Sequence, residues 1–236
     1  MENLLNQLLE KLNKALGDRI VSVVLYGSAA SGNHHEGFSD LNVLCVLQHV
    51  TVRELEQSEP VFRWWREKRN PSPLLLSELE LATCTDCFAI EFHDIKANHR
   101  ILQGKDVISQ LVVDNAFYRA QVEHDLRAKL LRLRQKASSA LADKDALRRL
   151  LADSVSTFCV LFRHALLLHG VEAKTRKREI IEQSREQFGI DPQPLSNLLD
   201  LREEKIKPRA MEPIGLLDSY LKQIDIVINA VDRLEK

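Results

Sequence analysis

Residues 25 to 47 read LYGSAASGNHHEGFSDLNVLCVL, and this stretch decides the fold. An apolar segment (Ile20, Val21, Val23, Val24, Leu25) runs into Gly27-Ser28 and a turn of small residues. Ser39-Asp40-Leu41-Asn42 then opens a second apolar segment. A Gly-Ser step at the end of a strand lets backbone N–H groups and a hydroxyl come close to a phosphate. Asp40 and Asn42 are two apart, so on a strand they face the same way, as two groups aimed at one cation must. Magnesium prefers carboxylate and water oxygens. A phosphate cradle beside a carboxylate is therefore the minimal equipment for metal-assisted phosphoryl chemistry.

Working outward, the first half alternates helix and strand signals. Leucines at 4, 5, 8, 9 and 12 give the N-terminus helical periodicity. A strand over 19–26, a short helix from Ser28 and a strand over 41–48 follow. Thr51 to about Lys68 reads as a helix that Pro60 should break or kink. Asn70-Pro71-Ser72-Pro73 is a turn, Leu74–Glu78 a short strand, and Phe88–Ile95 a longer strand with Phe88, Ile90 and Phe92 on one face. From about Asn115 the strand signals vanish. Segments 117–142, 144–169, 176–188, 192–204 and 212–235 carry helical spacing, with joints at Gly170, Gly189 and Pro208 to Pro213. The expected architecture is α+β: a mixed sheet flanked by helices over 1–114, then an all-helical bundle over 115–236. Phe158, Phe162 and Leu166 form the bundle's core stripe.

The 236 residues are 44% apolar and 28% charged, ordinary values for a soluble chain. Lys plus Arg (33) balances Asp plus Glu (34), so the strongly basic footprint of a nucleic-acid binder is missing. No apolar run reaches the ~18 residues of a membrane span. The N-terminus lacks a signal peptide's pattern, which makes a cytoplasmic protein without a membrane partner the expectation. Cys84-Thr-Asp-Cys87, with His93 and His99 after it, is a weak zinc motif without a second CxxC; inert thiols are the expected state.

The Gly27-Ser28 turn followed by Asp-x-Asn on the next strand resembles the nucleotidyltransferase signature of the polymerase beta superfamily. There, Gly-Ser in the turn precedes an Asp-x-Asp. Ser39-Asp40-Leu41-Asn42, Arg63-Trp64-Trp65, Ile90-Glu91-Phe92 and His99 to Gly104 also resemble segments of a bacterial nucleotidyltransferase-domain group. Leu130 to Gln135 and Ser156-Thr157-Phe158 extend that resemblance into the helical half. The two-domain layout is similar to that of kanamycin nucleotidyltransferase, where a helical bundle helps form the acceptor site. The resemblance implies transfer of a nucleoside monophosphate from a nucleoside triphosphate, ATP above others, to a hydroxyl of a small-molecule, RNA or protein acceptor, with Mg²⁺ as cofactor.

On that resemblance Gly27, Ser28 and Ser39 face the triphosphate, and Asp40 and Glu91 hold the metal. Glu91 fills the place of the superfamily's third carboxylate, expected on a later strand, with Asp94 as its alternative. Asn42 stands where the superfamily has a second Asp. It hydrogen-bonds a substrate group, completes a one-metal site, or marks lost catalysis and a nucleotide- or partner-binding protein. His34, His35 and Glu36 lie in the loop between the motifs, and one of Trp64 and Trp65 is a candidate base-stacking surface. A different class is suggested by Arg163 and His169, which match the loose R-x4–6-H pattern of HEPN ribonucleases and toxin–antitoxin components. Six apart on a helix, they reach one pocket only near a bend or across the seam of a homodimer.

Overall fold

The computed structural model describes residues 1–30, 41–207 and 211–234. It divides into two compact units, Met1–Phe117 and Tyr118–Lys236. The first unit runs α1 (Glu2–Leu16), β1 (Ile20–Tyr26), β2 (Asn42–Leu47), α2 (Val52–Glu67), β3 (Leu74–Ser77), α3 (Glu78–Thr83), α4 (Ala89–Ala97) and β4 (His99–Gly104). Its sheet is mixed, in the order β3-β2-β1-β4. β1 lies antiparallel to both β2 and β4, and β2 lies parallel to β3.

Strand alternation builds two cores. Val23, Leu25, Val43, Cys45 and Leu47 face Leu5, Leu8 and Leu12 of α1 and Val61, Phe62 and Trp65 of α2. Val24, Leu44 and Val46 point the other way, onto Leu81 of α3 and Phe92 and Ile95 of α4. Each such side chain stabilises the fold by about 1.5–3 kcal/mol, so burial on both faces holds the sheet.

Two expectations need correction. Phe88–Ile95 is not a strand: Ala89–Ala97 is a helix, and the strand at this end of the sheet is His99–Gly104. The Phe88, Ile90, Phe92 alternation was a coincidence of spacing, whereas buried Ala89, Phe92 and Ile95 recur at helical intervals. Nor does Pro60 break α2, which runs from Val52 to Glu67. Pro60 removes one backbone hydrogen bond, but Val61, Phe62 and Trp65 on the next turn are buried against α1 and the sheet. Packing outweighs local propensity there.

The start of α2 carries a measurable electrostatic signature. Thr51 and Glu54 form a capping box, and Arg19 Nη1 donates to Glu54 Oε1 at 2.7 Å. The Thr51 hydroxyl first, and the Arg19 guanidinium with it, lower the Glu54 pKa to about 2. A depressed carboxyl pKa stabilises the fold above the unfolded value and loses that contribution as pH falls through the folded one. The wild type should therefore melt above Glu54→Gln near pH 7, and the two melting curves should converge as pH falls from about 5 toward 2.

The second unit contains α5 (Tyr118–Ala140), α6 (Lys144–Leu168), α7 (Lys177–Phe188), α8 (Gln193–Arg202) and α9 (Pro213–Asp232). Asp143 caps α6 by accepting from the N–H groups of Asp145 and Ala146. Gly189 ends α7 in the left-handed conformation at φ 71°. Phe158, Phe162 and Leu166 are buried, and Phe158 meets the edge of Tyr220 with ring centroids 5.7 Å apart. By length and composition α6 could cross a membrane, yet 61% of its apolar window is buried inside the protein, as in the core helix of a bundle.

Candidate functional site

Gly27 ends β1 in a single 3-10 turn, Gly27–Ala29, and its φ of 79° is one that only glycine adopts without strain. Its N–H donates to the Asn98 carbonyl at 3.0 Å, and its own carbonyl accepts from Ala30. A Cβ on Gly27 would lie 3.4 Å from Asn42 Nδ2, so the turn and the Asn42 amide are in contact. The register explains this contact, because Tyr26 pairs with Asn42 on one side and with His99 on the other. The Gly27 turn and the first residues of β2 and β4 thus share one end of the sheet. Ser28 is exposed beside them.

Asn42 is half-buried at the mouth of β2. The residue before it, Leu41, is buried, and its N–H donates to Asn70 Oδ1 at 3.1 Å. Asn70 follows Arg69, which takes φ 64° as the chain leaves α2. The sequence shows only a turn here, because the partner lies 29 residues upstream. Asn70→Ala would leave the Leu41 N–H unsatisfied, at a cost of about 1–3 kcal/mol. Denaturant unfolding should show this loss, and nucleotide affinity should fall with it, since Leu41 sits between Asp40 and Asn42.

Glu91 lies in the first turn of α4 and is exposed. Burial first, and the Glu91 charge second, push the Tyr26 hydroxyl above its ordinary pKa. Tyr26 packs on the sheet face covered by Phe92 and Ile95 of α4, and Asn42, its cross-strand partner, shares that face. Glu91 is therefore brought to the Tyr26–Asn42 end of the sheet, but from a helix rather than a strand. On a strand Glu91 and Asp94 would point to opposite faces; three apart on a helix, they are neighbours. β4 itself, His99 to Gly104, carries no carboxylate.

Ser39, Asp40, His34, His35 and Glu36 lie outside the described residues. Among the described residues no group of three or more His, Cys, Asp or Glu side chains could hold a metal ion. Among the described residues, Glu91 and the Asn42 amide oxygen are the candidate donors to a cation at this end.

A nucleotidyltransferase-domain family model matches residues 5–132, more than half of the chain. The chain belongs to the nucleotidyltransferase-domain family. No curated protein matches it. Among solved structures, it is similar to spectinomycin adenyltransferase AAD(9) from Enterococcus faecialis, solved with ATP and spectinomycin. The TM-score is 0.56 at 13% identity, over 97% of this chain and 98% of that one. At that identity the likeness speaks for the fold.

The remaining candidates of this nucleotidyltransferase-domain protein fall into place. Trp65 is fully buried in the α1–α2 core, and Trp64 carries Lys11 Nζ 4.9 Å from its ring centroid. His93 Nε2 is paired with Asn115 Oδ1, and His99 Nδ1 with the Lys96 carbonyl, so both rings have partners other than the two cysteines. His169 follows the last turn of α6. Its Nδ1 contacts the Ala165 carbonyl at 2.8 Å, and its ring meets the edge of Phe188. Arg163 is buried, and burial lowers its pKa. These contacts give His169 a helix-end role of the kind common for histidine.

Proposed function

We propose that this protein moves a nucleoside monophosphate from ATP to a hydroxyl of a small-molecule acceptor in the cytoplasm. The observation that carries the reading is the contact between the Gly27 turn and Asn42 at one sheet end, within the segment matched by the family model. Gly27, its N–H given to the Asn98 carbonyl, shapes the turn and lets a phosphate come close, and Ser28, with Ser39, takes the triphosphate through backbone N–H groups and hydroxyls. Asp40 and Glu91 hold Mg²⁺, whose charge, when bound, stabilises the phosphoryl oxygens and the leaving pyrophosphate. A small-molecule acceptor is favoured because the solved structure of similar fold holds spectinomycin with its ATP.

Asn42 turns Nδ2 toward the Gly27 turn. In this reading its amide donates to a phosphate oxygen where the superfamily places a carboxylate, orienting the nucleotide without adding charge. With two carboxylates, the site suits one divalent ion. A second reading follows from the same residue: a protein that binds nucleotide and transfers it slowly or not at all. Incubation with α-labelled ATP, Mg²⁺ and a panel of hydroxylated small molecules separates the two. Labelled acceptor supports transfer; Mg²⁺-dependent ATP binding without labelled product supports the binding protein; absence of both overturns the assignment.

A further inference from the structure

Cys84 and Cys87 occupy the turn between α3 and α4 and take no part in the nucleotide site. We propose that they form a reversible dithiol–disulfide site, oxidised by low-molecular-weight disulfides, that controls the start of α4, the helix carrying Glu91.

Cys84 is the residue on which α3 ends. Its carbonyl accepts from Cys87 N at 3.2 Å and from Phe88 N at 3.1 Å, so the two cysteines close one turn. Such a turn brings the terminal Cα atoms within about 7 Å, and a disulfide spans Cα separations of about 4.4–6.8 Å. The thiols are near enough for a charge on Cys87 to act on Cys84. Their surroundings differ. Cys87 is exposed, whereas Cys84 is half-buried and packs on the core formed by Val24, Leu44, Phe92 and Ile95. Cys45 and Cys159 are buried, and burial raises each thiol pKa to about 12. The reactive pair is thus set apart from two core thiols.

The division of exposure assigns the order of events. The Cys87 thiolate attacks one sulfur of the small disulfide, forming a mixed disulfide and releasing one thiolate. Cys84 then attacks Cys87 Sγ, releasing the second. Two protons leave the protein thiols and are taken up by the two released thiolates, so one small disulfide becomes two thiols as the protein dithiol becomes a disulfide. Burial holds the Cys84 thiol above its ordinary pKa, and the hydrogen bond with Asp86 does the same for Cys87. Exchange proceeds through thiolates, so it should be slow at neutral pH and quicken as pH rises.

The test uses the full chain, incubated with glutathione disulfide, alkylated and mapped by mass spectrometry. The expected result is a Cys84–Cys87 disulfide, lost in Cys84→Ser and Cys87→Ser and reversed by dithiothreitol. A stable glutathione adduct on Cys87 with Cys84 still open to alkylation would overturn the proposal, as would no modification at all. Asp86→Asn should speed oxidation several-fold near neutral pH; an unchanged rate would overturn Cys87 as the attacking thiol. Amide hydrogen exchange across residues 88–97 should differ between the oxidised and reduced forms, and identical exchange would overturn control of α4. None of these readings needs nucleotide, so a failure here is distinct from a failure of the nucleotidyltransferase reading.

Discussion

Asp40→Asn is expected to abolish Mg²⁺-dependent ATP binding, and Asn42→Asp to strengthen it. Charge decides both. In the proposed site Asp40 and Glu91 would present about two negative charges to a divalent ion and a triphosphate, and removing one would leave a single carboxylate to hold the metal. Any transfer by the wild type should fall on the order of 100-fold or more in Asp40→Asn, the size of effect seen when one preorganised electrostatic contact is lost. Asn42→Asp is nearly isosteric and restores a carboxylate at the position where the superfamily carries one. Mg²⁺-dependent affinity for ATP, measured by calorimetry, should rise, and any latent transfer should rise with it. The opposite order, brisk transfer in the wild type and slow transfer in Asn42→Asp, would make Asn42 a catalytic residue tuned for its amide.

Gly104→Ala is expected to be the most damaging small substitution in the first unit. Gly104 closes β4 at φ 84°, and a Cβ there would lie 2.2 Å from the Val21 carbonyl oxygen. That oxygen accepts from Lys105 N at 3.0 Å and belongs to a central strand of the sheet, so it has no room to retreat. Left-handed strain and the steric clash together should cost roughly 3 kcal/mol or more, lowering the melting temperature by roughly 6–12 °C. Gly170→Ala is the internal control. Its φ is 74° but a Cβ would meet nothing within 4 Å, so only the conformational cost, about 1–2 kcal/mol, should appear. Equal losses in the two variants would show that the Val21 contact carries no weight.

Much of this fold was legible because its signals are local. The apolar runs either side of Gly27 and Asp40, the leucine spacing of α1 and the helical stripe around Phe158 each announce their own element. Phe88–Ile95 misled because three alternating apolar residues fit a strand, while the buried series Ala89, Phe92 and Ile95, which fits a helix, is equally short. Correcting it moves Glu91 from a strand to a helix without removing it from the Tyr26 end of the sheet. Pro60 misled because a local penalty was weighed without the core that overrides it. Asn70 was not legible as part of the site at all. Its hydrogen bond to Leu41 depends on how α2 returns the chain to β2, and no spacing rule connects positions 29 apart.

The central claim is that the Gly27–Asn42 end of the sheet takes a nucleotide with a divalent ion. Its most direct test is thermal unfolding of the wild type, Asp40→Asn and Glu91→Gln with ATP, in the presence and absence of Mg²⁺. At about 100 times its Kd, ATP should add about 2.7 kcal/mol to the wild type. The gain should require Mg²⁺ and be lost in Asp40→Asn and sharply reduced in Glu91→Gln. No stabilisation of the wild type, or the same stabilisation in all three proteins, would contradict the account.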